Sequence, residues 1–139
     1  MRHENDLVAD IVRHGRLVLD LVGDLDEPAF VQRFGDGITP FAAAISFALI
    51  AIGEACRQLA GSGDVTGAPT APIVAAHPDI DWRGWIGLRN VLTHGYHRRD
   101  PPVIWRATGE LRTLVKACEA WQSKRSMPDD GEGQNPMKR

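Results

Sequence analysis

Arg89, Asn90, His94 and Tyr96 place a guanidinium, an amide, an imidazole and a phenol within two turns of chain. That set of groups suits phosphate chemistry on RNA. Cutting an RNA strand without a metal needs a group that moves a proton at the 2′-hydroxyl or at the leaving oxygen, and histidine titrates in the right range. It also needs a cation against the charge that builds on the phosphate, which arginine supplies bidentately. Arg89 and His94 are therefore the candidate catalytic pair. Asn90 adds an amide able to bind a phosphate or orient a side chain. Tyr96 adds a phenol that can stack on a base or accept a modification.

Positions five apart are about 140° apart around an ideal helix. Arg89 and His94 share a face only if the helix ends near Thr93, and Gly95 is a good terminator there. A structural reading competes. Arg89 could pair with a carboxylate of the first helix, such as Asp10 or Asp20, and His94 could cap a helix C-terminus, where the dipole favours imidazolium. Spacing alone favours this second reading, because an Arg and a His five apart often meet by chance.

The elements that must position these groups read as helices throughout. Leu7, Val8, Ile11, Val18, Leu21, Val22 and Leu25 mark an amphipathic helix over about residues 5–25, with Asn5 or Asp6 as its cap. A short helix fits 28–34, and Gly35-Asp36-Gly37 is a turn. Thr39 caps a long helix with Pro40 at its first position, running to about Leu59. Ile38, Phe41, Ile45, Leu49, Ile52 and Leu59 form its main stripe, with Phe47, Ile50 and several alanines off it. A helix apolar on most sides is buried on most sides, here in the core and in a subunit interface. Residues 61–77 read as a linker without periodicity, unusually long for a compact domain. Asp79 or Asp81 caps the next helix, whose first turns are Asp79–Gly87 and whose apolar side is Trp82, Trp85, Ile86, Leu88 and Leu92. Asp100 and Pro101 open the last long helix, with Ile104, Ala107, Leu111, Leu114, Val115, Cys118 and Trp121 as its stripe. No strand-like alternation and no internal repeat is present. The expectation is an all-α antiparallel bundle of four principal helices plus a short one, spanning 1–126, with a disordered tail over 127–139.

The totals exclude several classes. The chain has 139 residues and a net charge of −2, enough to bury a core without disulfides or metal. No apolar run reaches the ~18 residues that span a bilayer, and residues 1–6 lack the apolar core of a signal peptide, so a cytoplasmic location is expected. Cys56 and Cys118 read as buried free thiols, with no CxxC pair and so no structural zinc site. No phosphate loop, GxGxxG or metal-binding carboxylate set is present, and no cofactor is expected. The charge is uneven: residues 89–125 hold eight Lys/Arg against three Asp/Glu, residues 1–60 five against nine. Positive charge in and after the motif is where a phosphate backbone would be attracted, although solvated helix faces give the same pattern.

The run Arg89-Asn90-Val91-Leu92-Thr93-His94-Gly95-Tyr96 resembles the Arg-Asn-x-x-x-His-x-Tyr signature of the HepT-like toxins, a branch of the HEPN superfamily. Ile52-Gly53-Glu54-Ala55 resembles that family's Ile-Gly-Glu-Ala on the preceding long helix. Pro78-Asp79-Ile80-Asp81-Trp82 resembles its Pro-x-Ile-Pro-Trp lead-in. Asp100 with Val103-Ile104-Trp105 resembles the start of its last helix, and Phe30 before a Gly/Asp turn also fits. The likeness is co-linear and covers most of residues 5–121. Asp81 stands where proline is usual, the loop before Pro78 is longer, residues 41–51 carry fewer polar groups, and His97-Arg98-Arg99 adds positive charge.

The resemblance implies an all-helical homodimer whose paired Arg/His motifs face a shared cleft and act as a metal-independent endoribonuclease on tRNA or mRNA. It implies Arg89 and His94 as catalytic and Asn90 as a polar helper. Glu54 lies in a matching motif and could orient Arg89 or His94, or be an ordinary solvent-facing glutamate, while the positive charge of His97, Arg98 and Arg99, a departure from the family, makes them candidate RNA contacts. The resemblance also implies a partner, a minimal MNT-type nucleotidyltransferase antitoxin, which would silence the toxin by placing AMP on Tyr96. Two other expectations stay open: a helical module that binds RNA or a nucleotide without turnover, and a partner subunit of a nucleotidyltransferase.

Overall fold

The computed structural model describes residues 3–61, 70–94 and 100–126. Within them the chain forms α1 (Glu4–Val22), α2 (Glu27–Phe34), α3 (Pro40–Ala60), α4 (Pro72–Ala76), α5 (Trp82–Thr93) and α6 (Pro101–Ser126), and no strand. The all-helical class is as the periodicity indicates, with one more short helix than expected.

Local chemistry explains most of the boundaries. Asp26 opens α2 by accepting the Ala29 N–H on Oδ1 at 3.0 Å. Thr39 opens α3 in the same way, its Oγ1 accepting the Ala42 N–H at 3.0 Å, with Pro40 where an N–H would be unsatisfied anyway. Between them, Gly35 and Gly37 adopt φ of 61° and 93°, a region closed to most side chains. This lets the chain reverse within four residues. The cap of α1 differs from expectation. His3 occupies it without a side-chain bond, and Asn5 and Asp6 lie inside the helix.

α3 is the central element. It packs on α1 along one side and on α5 along another, while α6 packs on α1 and α2. Ile45, Leu49, Ile52 and Leu59 of α3 are buried, each contributing roughly 1.5–3 kcal/mol by leaving water. Phe30 sits where three helices meet, with ring centroids 5.6 Å from Phe34, 5.6 Å from Phe41 and 5.3 Å from Trp105. One stripe assignment changes, since Ile38 precedes the helix and is 76% exposed. Phe47, off that stripe on a helix expected to be buried on most sides, is 66% exposed. Pro40–Ala60 is, by length and composition, long and apolar enough to cross a membrane, contrary to the expectation that no such stretch exists. Half of that stretch is buried inside the bundle, as the core helix of a bundle should be.

The expected linker is partly ordered. Residues 62–69 lie outside the described residues, but 72–76 form α4, because Ile73 inserts fully into the core. Glu4 fixes it from a distance: Oε2 accepts the Ile73 N–H at 2.9 Å, and Oε1 receives Arg125 at 2.9 Å. One carboxylate thus ties the start of α1, the start of α4 and the end of α6. The tail from residue 127 lies outside the described residues. Cys56 and Cys118 are buried free thiols.

Candidate functional site

α5 is set by its cap and by one close approach. Asp81, rather than Asp79, is the N-cap, accepting the Gly84 N–H on Oδ1 at 3.0 Å. Trp82, Trp85 and Leu92 are buried against the core. Gly53 of α3 faces Arg89: a Cβ there would lie 2.3 Å from Arg89 Cβ and 2.7 Å from the Trp85 carbonyl oxygen. A bare backbone at Gly53 therefore lets the stem of Arg89 lie against α3.

That contact brings Arg89 beside Glu54. Arg89 Nε lies 3.1 Å from Glu54 Oε1. This is ion-pair range, although the N–H is not aimed at that oxygen and makes no hydrogen bond. The other end of the guanidinium is better placed: Nη1 donates to Asn90 Oδ1 at 2.7 Å. Neither Asp10 nor Asp20 takes the role that spacing allowed. Asp10 pairs instead with Arg13 at 2.6 Å.

α5 ends at Thr93, and His94 continues in helical conformation as the C-cap, so the end of the helix does not by itself bring Arg89 and His94 onto one face. His94 Nδ1 lies 2.6 Å from the Asn90 carbonyl oxygen. A carbonyl only accepts, so Nδ1 carries the proton and the lone pair of the neutral ring falls on Nε2. Asn90 therefore holds both neighbours, Arg89 by its side-chain oxygen and His94 by its backbone oxygen. His94 thus sits at the helix C-terminus, where the structural reading put it, and bonds the same residue whose side chain holds Arg89. Thr93 Oγ1 donates to the Arg89 carbonyl oxygen, closing the last turn.

Glu54 has more partners than sequence reasoning gave it. Arg57 donates to it bidentately, Nε to Oε1 at 3.2 Å and Nη2 to Oε2 at 2.7 Å, and Gln58 Nε2 donates to Oε2 at 3.1 Å. The Arg57 hydrogen bond is the main cause that holds the Glu54 carboxyl below its ordinary range. Partial burial opposes it, and Gln58 and the charges of Arg57 and Arg89 add to it. Arg57 is held above its own ordinary value by the same bond. The signal for these partners was present as i, i+3 and i, i+4 spacing from Glu54.

Tyr96, His97, Arg98 and Arg99 lie outside the described residues. Among the described residues, no three His, Cys, Asp or Glu side chains cluster as a metal site would need. A separate cavity of about 220 Å³ between α5 and α6, lined in part by Trp85, Leu88, Val103 and Arg106, includes neither Arg89 nor His94.

Comparison with known proteins adds one finding. A family model described as "Ribonuclease HepT-like" matches residues 39–120, more than half of the chain and all of α3, α4 and α5. No curated protein and no solved structure matches.

Proposed function

We propose, from the premise that this chain belongs to the HepT-like ribonuclease family, that it is an endoribonuclease toxin cleaving tRNA or mRNA at the Arg89/His94 cluster. The observation that carries the reading is the double hold of Asn90, which fixes a guanidinium and an imidazole at one helix end.

The chemistry is transesterification within the RNA. The 2′-hydroxyl loses its proton as its oxygen bonds to phosphorus, and the bond from phosphorus to the 5′-oxygen breaks as that oxygen takes up a proton. In this reading His94 Nε2 carries one of these protons. Arg89 offers a fork to the equatorial phosphate oxygens as their charge grows. Asn90 and Glu54 keep that fork from rotating away.

One histidine serves one end of the reaction at a time, so two copies of the cluster facing one cleft supply both. A homodimer is therefore part of the proposal. Phe47 supports it, as a 66% exposed phenylalanine two turns before Glu54 on the same side of α3. The regulatory partner is an MNT-type nucleotidyltransferase antitoxin that adds AMP to Tyr96. The added charge and bulk, two residues from His94, would exclude the substrate phosphate.

The deciding experiment incubates the purified chain with total RNA in EDTA beside His94→Ala and Arg89→Ala. Cleavage by the unaltered chain and its loss in both variants is the expected result. Equal cleavage by all three overturns the assignment, and tight RNA binding without cleavage by any favours a non-catalytic binding module.

A further inference from the structure

We infer that Arg57 is a second phosphate-binding residue of this site, its guanidinium held beside that of Arg89 by the carboxylate they share, Glu54. The inference rests on the reading of the Arg89/His94 cluster as an RNA phosphate site, and extends it to a neighbouring phosphate of the same strand.

The geometry is unusual for a helix-surface ion pair. Glu54 Oε1 lies 3.2 Å from Arg57 Nε and 3.1 Å from Arg89 Nε. Two cations thus meet at one oxygen, while Gln58 and Arg57 Nη2 occupy the other. One negative charge between two positive ones leaves a local excess of one positive charge. The two guanidiniums repel each other, and a further anion bridging their outer edges would relieve this. Arg89 is already engaged at Nη1 by Asn90, so its remaining direction of approach is narrow. The side chain of Arg89 is 28% exposed and that of Arg57 is 51% exposed. Arg89 is the recessed member and Arg57 stands at the rim.

RNA carries one charge per nucleotide, so a strand whose scissile phosphate reaches Arg89 presents its next phosphate close by. An arginine held on one side by a bidentate carboxylate, with the rest of its fork toward solvent, is preorganised for that phosphate. Glu54 is the positioning residue for both cations. A bare i, i+3 pair on a solvated helix contributes little to stability, so stability alone does not account for two arginines and a glutamine on one carboxylate.

The test measures binding of fluorescein-labelled total tRNA across a salt series. It uses the full chain carrying His94→Ala, with and without Arg57→Ala or Arg57→Lys, each variant checked by a circular dichroism melt. Arg57→Ala is expected to weaken binding roughly tenfold at low salt and to flatten the slope of log affinity against log salt by about 0.7–0.9, the loss of one phosphate contact. Arg57→Lys keeps the charge and most of the slope, and should Arg57→Ala unfold, Arg57→Gln removes the same charge and is expected to flatten the slope equally. In the His94-containing chain, Arg57→Ala raises KM with kcat little changed. Unchanged affinity and slope overturn the inference, and if the unaltered chain still cleaves RNA in EDTA the ribonuclease reading stands. A flattened slope with no cleavage by the unaltered chain keeps Arg57 as a phosphate contact and overturns the ribonuclease reading. No tRNA binding by either chain overturns both.

Discussion

Gly53 and Arg89 leave no room for a methyl group between them. A Cβ on Gly53 would lie 2.3 Å from Arg89 Cβ and 2.7 Å from the Trp85 carbonyl oxygen. Carbonyl and Cβ are both parts of the α5 backbone framework, which yields only by moving the helix. Gly53→Ala is expected to destabilise the fold by about 1–3 kcal/mol, despite the better helix propensity of alanine. It should also lower cleavage by more than the loss of folded protein explains, because α5 must shift away from Glu54. Thermal melts beside specific activity per folded molecule decide this, and an Ala variant as stable and active as the parent refutes the account.

Arg89 holds its place through a fork, with Nη1 on Asn90 Oδ1 and Nε beside Glu54. Lysine keeps the charge and loses the fork. Arg89→Lys is therefore expected to drop kcat by about 10²-fold or more, the range seen when one transition-state donor is removed. Asn90→Ala should lower kcat less, since His94 keeps the Asn90 backbone oxygen. Single-turnover cleavage of RNA under saturating enzyme measures both, and a fully active Arg89→Lys contradicts the bidentate role.

The lowered Glu54 carboxyl links the site to acid stability. Its folded-state value lies below its unfolded one, first because of the Arg57 hydrogen bond. The contribution is present above the unfolded value, about 4.3, and is lost as pH falls through the folded one. The effect is modest because the group is a third exposed. Melts from pH 6 downward should show Glu54→Gln less acid-sensitive than the parent below about pH 4.3. Parallel curves would show that Glu54 carries no such linkage.

Burial raises both thiols, Cys118 up to about 12 and Cys56 further, with the neighbouring Cys118 adding to the rise at Cys56 and Glu119 to that at Cys118. Thiols kept protonated and out of solvent do not alkylate. Native protein at pH 8 should take up no iodoacetamide over an hour, and two equivalents after unfolding. Labelling of either cysteine in the native state would show that α3 and α6 open on that timescale.

Tyr96 is proposed as the site of AMP transfer. Co-expression with an MNT-type nucleotidyltransferase should give intact masses raised in whole AMP units, with cleavage lost. Tyr96→Phe should keep the unmodified mass and stay active. Mass shifts that persist in Tyr96→Phe would move the modification elsewhere.

Much of this arrangement is legible in the chain itself. Thr39-Pro40 and Asp81 announce their helices because capping needs only a side chain three residues from an N–H. An end of α5 near Thr93 is what the glycine two residues on leads one to expect from the sequence. Other features are not local. α4 forms because Ile73 finds the core and Glu4, 69 residues away, accepts its N–H. No periodicity in a five-residue segment announces that. The partner of Arg89 escaped the spacing argument for the same reason, since Asp10 and Glu54 are equally reasonable carboxylates until α3 and α5 are laid together. Arg57 and Glu54 are the two charged residues of the otherwise apolar α3, and only the shared carboxylate gives Arg57 a site to belong to.

The order of the helices in the chain conceals how forces run through the molecule. α5 and α6 are consecutive, yet they touch little and leave a cleft between them, whereas α5 lies along α3. The helix bearing Arg89 is a passenger on α3. A partner that grips the outer flank of α3, where Phe47 stands, would take hold of the guanidinium by a short lever. On the proposed function, assembly and catalytic geometry would then be one mechanical variable, and a variant that tilts α3 by a few degrees would detune the reaction without any change to the reacting groups.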